Sequence, residues 1–176
     1  MKNYLQGINK LDMSFMNWIE KHTKTDFMDR VMLVSSKLGD KGAIWIVYAL
    51  ICTFSAGLRQ VAMNLTLCIS ASAFLGNFAL KPMFRRTRPC NADSTRVLLL
   101  ARPYDSSFPS CHTMTSFAAA IVTAWQIGGF FGMSSFVFAS MISFSRVYLY
   151  VHYPSDVLAG MAFGIAAGSI FLYSIP

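Results

Sequence analysis

The sequence predicts an all-α integral membrane protein: a helical bundle of about five spanning helices, preceded by amphipathic N-terminal helices. Of the 176 residues, 55% are hydrophobic and only 13% are charged, whereas soluble domains carry about 25% charged residues. Four stretches contain no Lys, Arg, Asp or Glu, namely residues 42–58, 61–80, 106–145 and 157–175. A helix needs about 20 apolar residues to cross a bilayer. The same hydrophobicity excludes intrinsic disorder, and four cysteines are too sparse for a disulfide scaffold.

The longest charge-free stretch has room for two helices. Its two adjacent glycines, Gly128 and Gly129, divide it into spans over residues 113–128 and 130–145, both of them short. The first 25 residues lack the apolar core of a secretory signal. We therefore expect two parts: residues 1–41 as interfacial amphipathic helices, and residues 42–176 as a membrane-embedded core.

The N-terminal part holds seven of the fifteen Lys and Arg residues and five of the eight acids. Apolar residues recur there at three- and four-residue steps, which predicts two amphipathic helices. The first carries Ile8, Leu11, Phe15, Trp18 and Ile19, and the second carries Phe27, Val31, Val34 and Leu38. Thr25 is placed to cap the second helix and Gly39 to end it. Both helices are expected on the membrane surface; the alternative is a first spanning helix over residues 26–38, which would enclose Asp29 and Arg30.

Counting crossings brings three polar segments to one membrane face. If the span over 61–80 ends there, the next span begins there, the fourth ends there and the fifth begins there. The polar segments 81–89, 109–112 and 146–156 then share that face, and the N-terminal helices join them by parity. Of the fifteen Lys and Arg residues, only Arg59 lies opposite.

The first polar segment packs four cations into eight residues: Lys81, Arg85, Arg86 and Arg88. They would repel one another without an anion, and a phosphate would supply it through charge-assisted, partly bidentate hydrogen bonds. The alternative is an ordinary positively charged flank of a spanning helix.

The second segment reads Pro109, Ser110, Cys111, His112 just before an apolar helix. With Ser110 as the cap, the free N–H groups and the positive end of the helix dipole form an anion site, and His112 lies in the first turn beside it. The alternative is a capped helix with an interfacial histidine.

The third segment holds Arg146, His152 and Asp156. Residues 152 and 156 are four apart, so they share a face if the helix is continuous. A carboxylate bonded to one ring nitrogen fixes the tautomer and leaves the other nitrogen free as a nucleophile. Pro154 suits the first turn of the last helix. A structural ion pair is the alternative.

Metal chemistry is not expected. After Asp40 the chain has only three acids, Asp93, Asp105 and Asp156, whereas a two-metal phosphatase needs several carboxylates. The four cysteines, Cys52, Cys68, Cys90 and Cys111, are not clustered with histidines as a zinc site requires. We therefore expect no metal and no cofactor, with side-chain cations taking the place of a metal ion.

Taken together, the three segments resemble the motifs of the type 2 phosphatidic acid phosphatase superfamily. That pattern is Lys, six residues, Arg-Pro; then Pro-Ser-Gly-His; then Ser-Arg, five residues, His, three residues, Asp. The sequence matches it with Lys81, Arg88 and Pro89; with 109–112; and with Ser145, Arg146, His152 and Asp156. It departs once, because Cys111 replaces the glycine.

The resemblance implies roles for these residues. His152 would attack phosphorus and form a phosphohistidine, Asp156 would orient it, and His112 would protonate the leaving oxygen. Phosphoryl oxygens would be bound by Lys81, Arg88, Ser110 and Arg146, with backbone N–H groups near Cys111. A phosphoryl transition state spreads charge over its equatorial oxygens, so fixed cations are the main catalytic device.

The expected activity is that of a lipid phosphatase acting on undecaprenyl diphosphate, phosphatidylglycerophosphate or phosphatidate. A phosphotransferase of the same fold and, more weakly, a non-enzymatic anion or lipid transporter are the alternatives. Expected partners are the lipid phosphate and membrane lipids, with no nucleic acid. The net charge of +7 and the positive-inside rule place the motif face in the cytoplasm, whereas the resemblance favours the extracytoplasmic face of the cell membrane, which we prefer.

Overall fold

The computed structural model describes residues 2–93 and 95–174, and every regular element in these ranges is a helix. In chain order the helices are α1 (Lys2–Thr23), α2 (Asp26–Gly39), α3 (Ala43–Thr53), α4 (Arg59–Phe74), α5 (Lys81–Phe84), α6 (Pro89–Ala92), α7 (Cys111–Gln126), α8 (Gly129–Tyr148) and α9 (Pro154–Tyr173). A 3₁₀ turn joins α2 to α3, and a π turn joins α4 to α5. The predicted all-α class is confirmed.

Three segments of the described chain are long and apolar enough to cross a membrane: Ala56–Ala92, Gly129–Tyr148 and Pro154–Tyr173. The sequence predicts five. The other two form shorter helices in the same bundle, α3 with 11 residues and α7 with 16. The stretch 42–58 stays charge-free while its backbone becomes extended at Ser55. The absence of charge therefore predicts a longer helix than the one that forms. The predicted end of the last span, residue 175, lies outside the described residues.

The predicted break between α7 and α8 occurs at the paired glycines. Gly128 and Gly129 both adopt positive φ, +65° and +54°, a conformation that glycine reaches without steric cost. The chain therefore reverses sharply there, and α8 runs back along α7.

Both N-terminal helices form where the sequence predicts them. Thr25 is the N-cap of α2, where its hydroxyl accepts a hydrogen bond from the Met28 backbone N–H at 3.2 Å, and Gly39 is the last residue of the helix. In α1, Met16 and Ile19 are buried against the ends of α8 and α9, while the outer face exposes its apolar side chains to the surroundings. The location of these helices on the membrane surface stays a prediction.

Close packing of α9 on the central helix α7 brings two motifs together. A Cβ atom at Gly160 would lie 2.6 Å from the Ser110 carbonyl oxygen, and one at Gly168 would lie 2.9 Å from the Ile121 Cβ. Both helices begin at the same end of the bundle, where the Ser110 N–H donates to the Asp156 carbonyl at 3.1 Å. The glycines of α9 thus allow the second and third motifs to meet.

The π turn Leu75–Leu80 ends immediately before Lys81. Single π turns add a residue to a helix and often occur beside functional sites. Here the turn places Gly76 against Cys111, because a Cβ atom at Gly76 would lie 2.6 Å from the Cys111 Sγ. The first motif is thereby held against the start of α7.

Candidate active site

The first motif contributes two cations that a carboxylate bridges. Lys81 Nζ lies 2.5 Å from Asp105 Oδ2 and donates to the Asn77 side-chain oxygen at 3.0 Å. Arg88 Nη2 donates to Asp105 Oδ1 at 2.8 Å, and Arg88 Nε donates to the Asp105 carbonyl at 3.0 Å. Asp105 therefore supplies the anion that the sequence assigns to a phosphate.

The other two cations of this segment have different roles. Arg86 donates to Asp156 Oδ1 at 2.6 Å and to Asp12 Oδ2 at 2.8 Å, and its guanidinium lies 4.1 Å from the ring centroid of Tyr153. Arg85 donates to the Pro82 carbonyl at 3.0 Å. Of the four cations that the sequence predicts around one anion, only Lys81 and Arg88 therefore bind the same carboxylate, Asp105.

His152 lies at the centre of the site with 1% of its surface exposed. Its Nε2 is 3.0 Å from Arg88 Nη1, and its Nδ1 is 3.6 Å from Asp156 Oδ2. Burial and the nearby charges of Arg88 and Arg146 hold the pKa of His152 well below its usual value. The ring is therefore neutral at physiological pH, as a nucleophilic nitrogen requires.

His152 and Asp156 do not lie on one continuous helix, so the condition for a shared helical face is not met. Tyr148 ends α8 and Pro154 begins α9, with Pro154 in its predicted first-turn position. The turn between the helices still brings the ring and the carboxylate together. Asp156 is held on both oxygens, since Oδ2 accepts from the Tyr153 N–H at 2.9 Å while Oδ1 accepts from Arg86.

A carboxylate of α1 supports this arrangement from behind. Asp12 is buried; it accepts from the Ser155 hydroxyl at 2.6 Å and from the Ser155 N–H at 3.0 Å, as well as from Arg86. A chain of hydrogen bonds thus runs from Asp12 through Arg86 to Asp156, next to the ring of His152. The N-terminal part of the protein is an integral component of the site.

His112 lies on the opposite wall, where it meets a second carboxylate. Its Nε2 is 2.9 Å from Asp40 Oδ1. Arg146 lies beside this pair, with Nη1 4.0 Å from the same Asp40 oxygen and a hydrogen bond to the Ser36 hydroxyl. The end of α2 therefore contributes to both the histidine and the third cation.

The structure places Ser110 and Cys111 behind the site. Ser110 is the N-cap residue of α7, as predicted, but its hydroxyl accepts from the Thr113 hydroxyl at 3.0 Å and makes no capping bond to the backbone. Cys111 is 8% exposed and its sulfur packs on Gly76. Phosphate binding by Ser110 and by the N–H groups near Cys111 stays a prediction.

A cleft of about 480 Å³ opens beside Lys81, Arg88, Asp105, His112 and Arg146. Its charged lining consists of Lys37, Asp40, Lys81, Arg88, Asp105, His112 and Arg146. Its remaining wall is largely apolar, with Leu33, Leu99, Leu100, Ala101 and Pro103. A charged end beside an apolar wall suits a ligand with an anionic head and a hydrocarbon body.

The charge of Asp105 is fixed by its neighbours. Burial pushes the pKa of this carboxyl upward, but the hydrogen bond from Lys81 and the positive charges of Arg88 and Lys81 outweigh burial and lower the pKa to about 2. Asp105 is therefore ionised throughout the physiological range and competes with any other anion for the same two cations.

Sequence reasoning gives no role to Asp12, Asp40 and Asp105. It also groups Arg86 with the cations that would surround a phosphate, whereas Arg86 binds Asp156 and Asp12 in the structure. The three acids lie outside the motifs, and their partners are 74, 72 and 17 to 24 residues distant in the chain, respectively. The excess of cations in segment 81–89 is a usable signal, because those of its cations that become buried or half-buried, here Lys81, Arg86 and Arg88, need carboxylate partners.

Fold and site together define an α-helical membrane protein whose cleft is lined by four cations and His112, with His152 buried next to Arg88. A family profile described as the PAP2 superfamily matches residues 61–176, and the chain belongs to this family. An undecaprenyl-diphosphatase from Sulfolobus acidocaldarius is 30% identical to it over 138 residues, which cover 78% of this chain and 66% of the relative. The chain thus spans about two thirds of the length of this curated relative.

Solved structures share the fold. Aquifex aeolicus LpxE superposes with a TM-score of 0.79 at 26% identity, covering 93% of this chain and 95% of that protein. A transmembrane PAP2-type phosphatidylglycerolphosphate phosphatase from Bacillus subtilis gives a TM-score of 0.78 at 20% identity, covering 95% and 85%. The resemblance noted in the sequence is confirmed at the level of family and fold.

Proposed function

We propose that the protein is a membrane lipid phosphatase that hydrolyses a phosphate monoester or a diphosphate on a lipid through a phosphohistidine intermediate. The observation that carries the proposal is the position of His152 Nε2, 3.0 Å from Arg88 Nη1, because Arg88 lines a cleft together with Lys81 and Arg146. A phosphoryl group bound by these cations has its phosphorus next to the nucleophilic nitrogen.

The first half of the reaction breaks the bond between phosphorus and the leaving oxygen. Nε2 of His152 attacks phosphorus, and the leaving oxygen takes a proton from His112. Arg88, which donates to Nε2 in this structure, turns to a phosphoryl oxygen so that the nitrogen lone pair is free. Asp156 stabilises the charge that develops on the ring, and Arg86 and the Tyr153 N–H hold the carboxylate in place.

The second half returns the enzyme to its starting state. Water attacks the phosphohistidine, His112 accepts a proton from that water, and the N–P bond breaks to release inorganic phosphate. Throughout, negative charge on the equatorial oxygens is stabilised by Lys81, Arg88 and Arg146, which is the main device in phosphoryl transfer. The chemistry needs no metal or cofactor.

The lipid class follows from the apolar wall of the cleft. Leu33, Leu99 and Leu100 line the cleft that also contains the cations, so a hydrocarbon chain lies against them while its phosphate reaches His152. Names of related proteins support undecaprenyl diphosphate and phosphatidylglycerophosphate as substrates, and phosphatidate belongs in the same panel.

The test is phosphate release by purified protein in detergent, with these three lipids as substrates and a His152→Ala variant as the control. Running the reaction in ¹⁸O-labelled water identifies the acceptor, because hydrolysis places one labelled oxygen on the released phosphate and a phosphotransferase does not. We expect labelled phosphate from at least one lipid. Absence of phosphate release from all three, with folded protein, would contradict the proposal and favour a transporter.

We also propose that the site faces the extracytoplasmic side of the cell membrane. Most Lys and Arg residues lie at the same end of the bundle as the site, which by the positive-inside rule indicates the cytoplasm. Arg86, Arg88 and Arg146 are held in the site by specific partners, so their positions reflect chemistry more than topology.

Cysteine labelling in intact cells tests the orientation. The four native cysteines are buried, so an Arg59→Cys and a Thr95→Cys variant each add one exposed thiol at opposite ends of the bundle. An impermeant reagent is expected to label position 95 and leave position 59 unlabelled. The reverse pattern would place the site in the cytoplasm.

A further inference from the structure

The close contact between Asp40 and His112 belongs to no motif of the sequence and precedes residues 61–176, which match the family profile. We propose that Asp40 is a positioning residue for His112: it holds Nε2, keeps a proton available on the ring, and leaves Nδ1 as the nitrogen that protonates the leaving oxygen. This inference rests on the proposed phosphatase function.

The geometry at the end of α2 supports the assignment of the two ring nitrogens. Asp40 Oδ1 lies 2.9 Å from Nε2, and a Cβ atom at Gly39 would lie 3.3 Å from the neighbouring ring atom, Cδ2. Gly39 and Asp40 therefore cover the Nε2–Cδ2 edge of the ring. The Nδ1 edge is the one left for the substrate in the cleft that His112 lines.

The position of the Gly39–Asp40 segment is itself fixed. The Asp40 N–H donates to the Lys37 carbonyl at the end of α2, and the next two residues adopt positive φ, +53° at Lys41 and +73° at Gly42. A Cβ atom at Gly39 would also lie 2.6 Å from Ile142 Cγ2 of α8, so only glycine lets α2 end this close to the site. The carboxylate is thus held in place although 59% of its side chain is exposed.

The Asp40 carboxylate favours a protonated His112. The charged groups facing His112 are Arg146 from α8 and Lys81 from α5, both of which disfavour a second positive charge on the ring, and Asp40, which favours it. Asp105 in the same cleft is engaged by Lys81 and Arg88. The hydrogen bond from His112, helped by Arg146 and opposed by burial, lowers the pKa of Asp40 below its usual value, so the carboxylate is charged when His112 must carry its proton.

The experiment compares two leaving groups in Asp40→Asn, with Asp93→Asn as the charge-matched control. Asp93 is an exposed carboxylate bonded to Thr95, away from the cleft. An alkyl lipid phosphate needs the proton from His112, whereas an aryl phosphate such as p-nitrophenyl phosphate departs with little help. We expect the single-turnover rate of phosphoenzyme formation from the lipid to fall by roughly 10- to 100-fold, at or below the ~10²–10⁴ that an entire general acid contributes, and the same rate for the aryl phosphate to change by less than about threefold.

The pH profile and a restoring variant separate positioning from a merely structural role. In Asp40→Asn the decline in kcat with rising pH is expected to begin at lower pH, because less of the enzyme carries the proton on His112. Asp40→Glu, which keeps the charge, is expected to restore the profile in part. Equal losses on both substrates with an unchanged profile would overturn the inference.

A readout independent of activity distinguishes the failure of this inference from the failure of the proposed function. The chain has three histidines, so ¹⁵N-histidine spectra in detergent, with His22→Ala and His152→Ala variants for assignment, follow the ring of His112 directly. We expect His112 to take up its proton at lower pH in Asp40→Asn than in wild type and Asp93→Asn. An unchanged titration would overturn the role of Asp40 even if phosphate release occurs, and a shifted titration upholds the contact even if no lipid is hydrolysed.

Discussion

Replacing Asp105 with asparagine removes the anion that lies between Lys81 and Arg88 while leaving the backbone carbonyl that binds Arg88 Nε. Both cations keep other partners, since Lys81 donates to Asn77 and Arg88 donates to the Val151 carbonyl. We therefore predict that the Asp105→Asn variant folds and binds phosphate-like anions more tightly than the wild type, because the competing carboxylate is gone.

The magnitude follows from the charge state of Asp105. Burial raises its pKa, but Lys81 and Arg88 outweigh burial and lower it from 3.8 to about 2, which corresponds to roughly 2.5 kcal/mol at about 1.4 kcal/mol per pKa unit. Because 50% of the side chain is exposed, solvent screens much of this interaction, and about 1 kcal/mol is the usable figure. At about 1.4 kcal/mol per tenfold change, the inhibition constant of a competing anion is expected to fall about fivefold.

The assay is inhibition of phosphate release by vanadate and by inorganic phosphate, at several pH values between 5 and 8. Asp105 stays ionised over this whole range, so the fivefold effect should not depend on its own titration. Asp93→Asn removes an exposed carboxylate and is the control for net charge. Unchanged or weaker inhibition of the Asp105→Asn variant would refute the reasoning, because it would mean that Asp105 organises the cations and does not compete with the substrate.

Three further predictions concern packing and metal dependence. Cys111→Gly is expected to retain phosphate release, because the sulfur packs on Gly76; loss of release in folded protein would give the thiol a chemical role. Gly164→Ala is expected to lower stability by about 1–3 kcal/mol in thermal unfolding in detergent, since its Cβ would meet the Met114 carbonyl oxygen and lie 3.0 Å from Phe117 Cβ, whereas Gly57→Ala, with no atom within 4 Å of its Cβ, should be nearly neutral. Excess chelator should leave activity unchanged, and a loss that magnesium restores would contradict the side-chain cation mechanism.

The acid side of the stability profile also depends on Asp105. A carboxyl whose pKa is lowered by folding stabilises the protein above its unfolded value near 4, and this stabilisation is lost as the pH falls from about 4 to 2. Wild type should therefore lose more stability than Asp105→Asn over that window. Identical acid unfolding curves would show that the contacts of Asp105 add no net stability.

Local signals in the sequence are sufficient for much of the fold. A threonine before an apolar periodic stretch and a glycine after it define the ends of α2, and the paired glycines define the turn between α7 and α8. The lengths of α3 and α7 could not be obtained in this way, because a charge-free stretch has no marker for an extended residue such as Ser55. Apolar composition shows only that a segment is compatible with lipid. The length of a helix depends on where its backbone leaves the helical conformation.

For the site, too, the sequence predicts the general arrangement but not the individual contacts. Motif spacing and the parity of crossings predict that three segments meet at one end of the bundle, and the structure brings Arg88, His152 and Asp156 together there. Partner choice among charges is different, because it depends on which side chains face each other after folding. Asp12, Arg86 and Asp40 illustrate this: each has a partner more than 60 residues away.

Detection of a covalent phosphoenzyme tests the central mechanism most directly. Wild type and variants are mixed with a ³²P-labelled lipid phosphate, quenched within one turnover and examined for label that is stable in base and labile in acid, as a phosphohistidine is. We predict label on wild type and none on His152→Ala. With a ³²P-labelled aryl phosphate, which departs without a proton from His112, we predict accumulation of label on His112→Ala, because the water that releases the phosphate loses its base. Label retained by His152→Ala, or turnover by that variant at the wild-type rate, would contradict the assignment of the nucleophile.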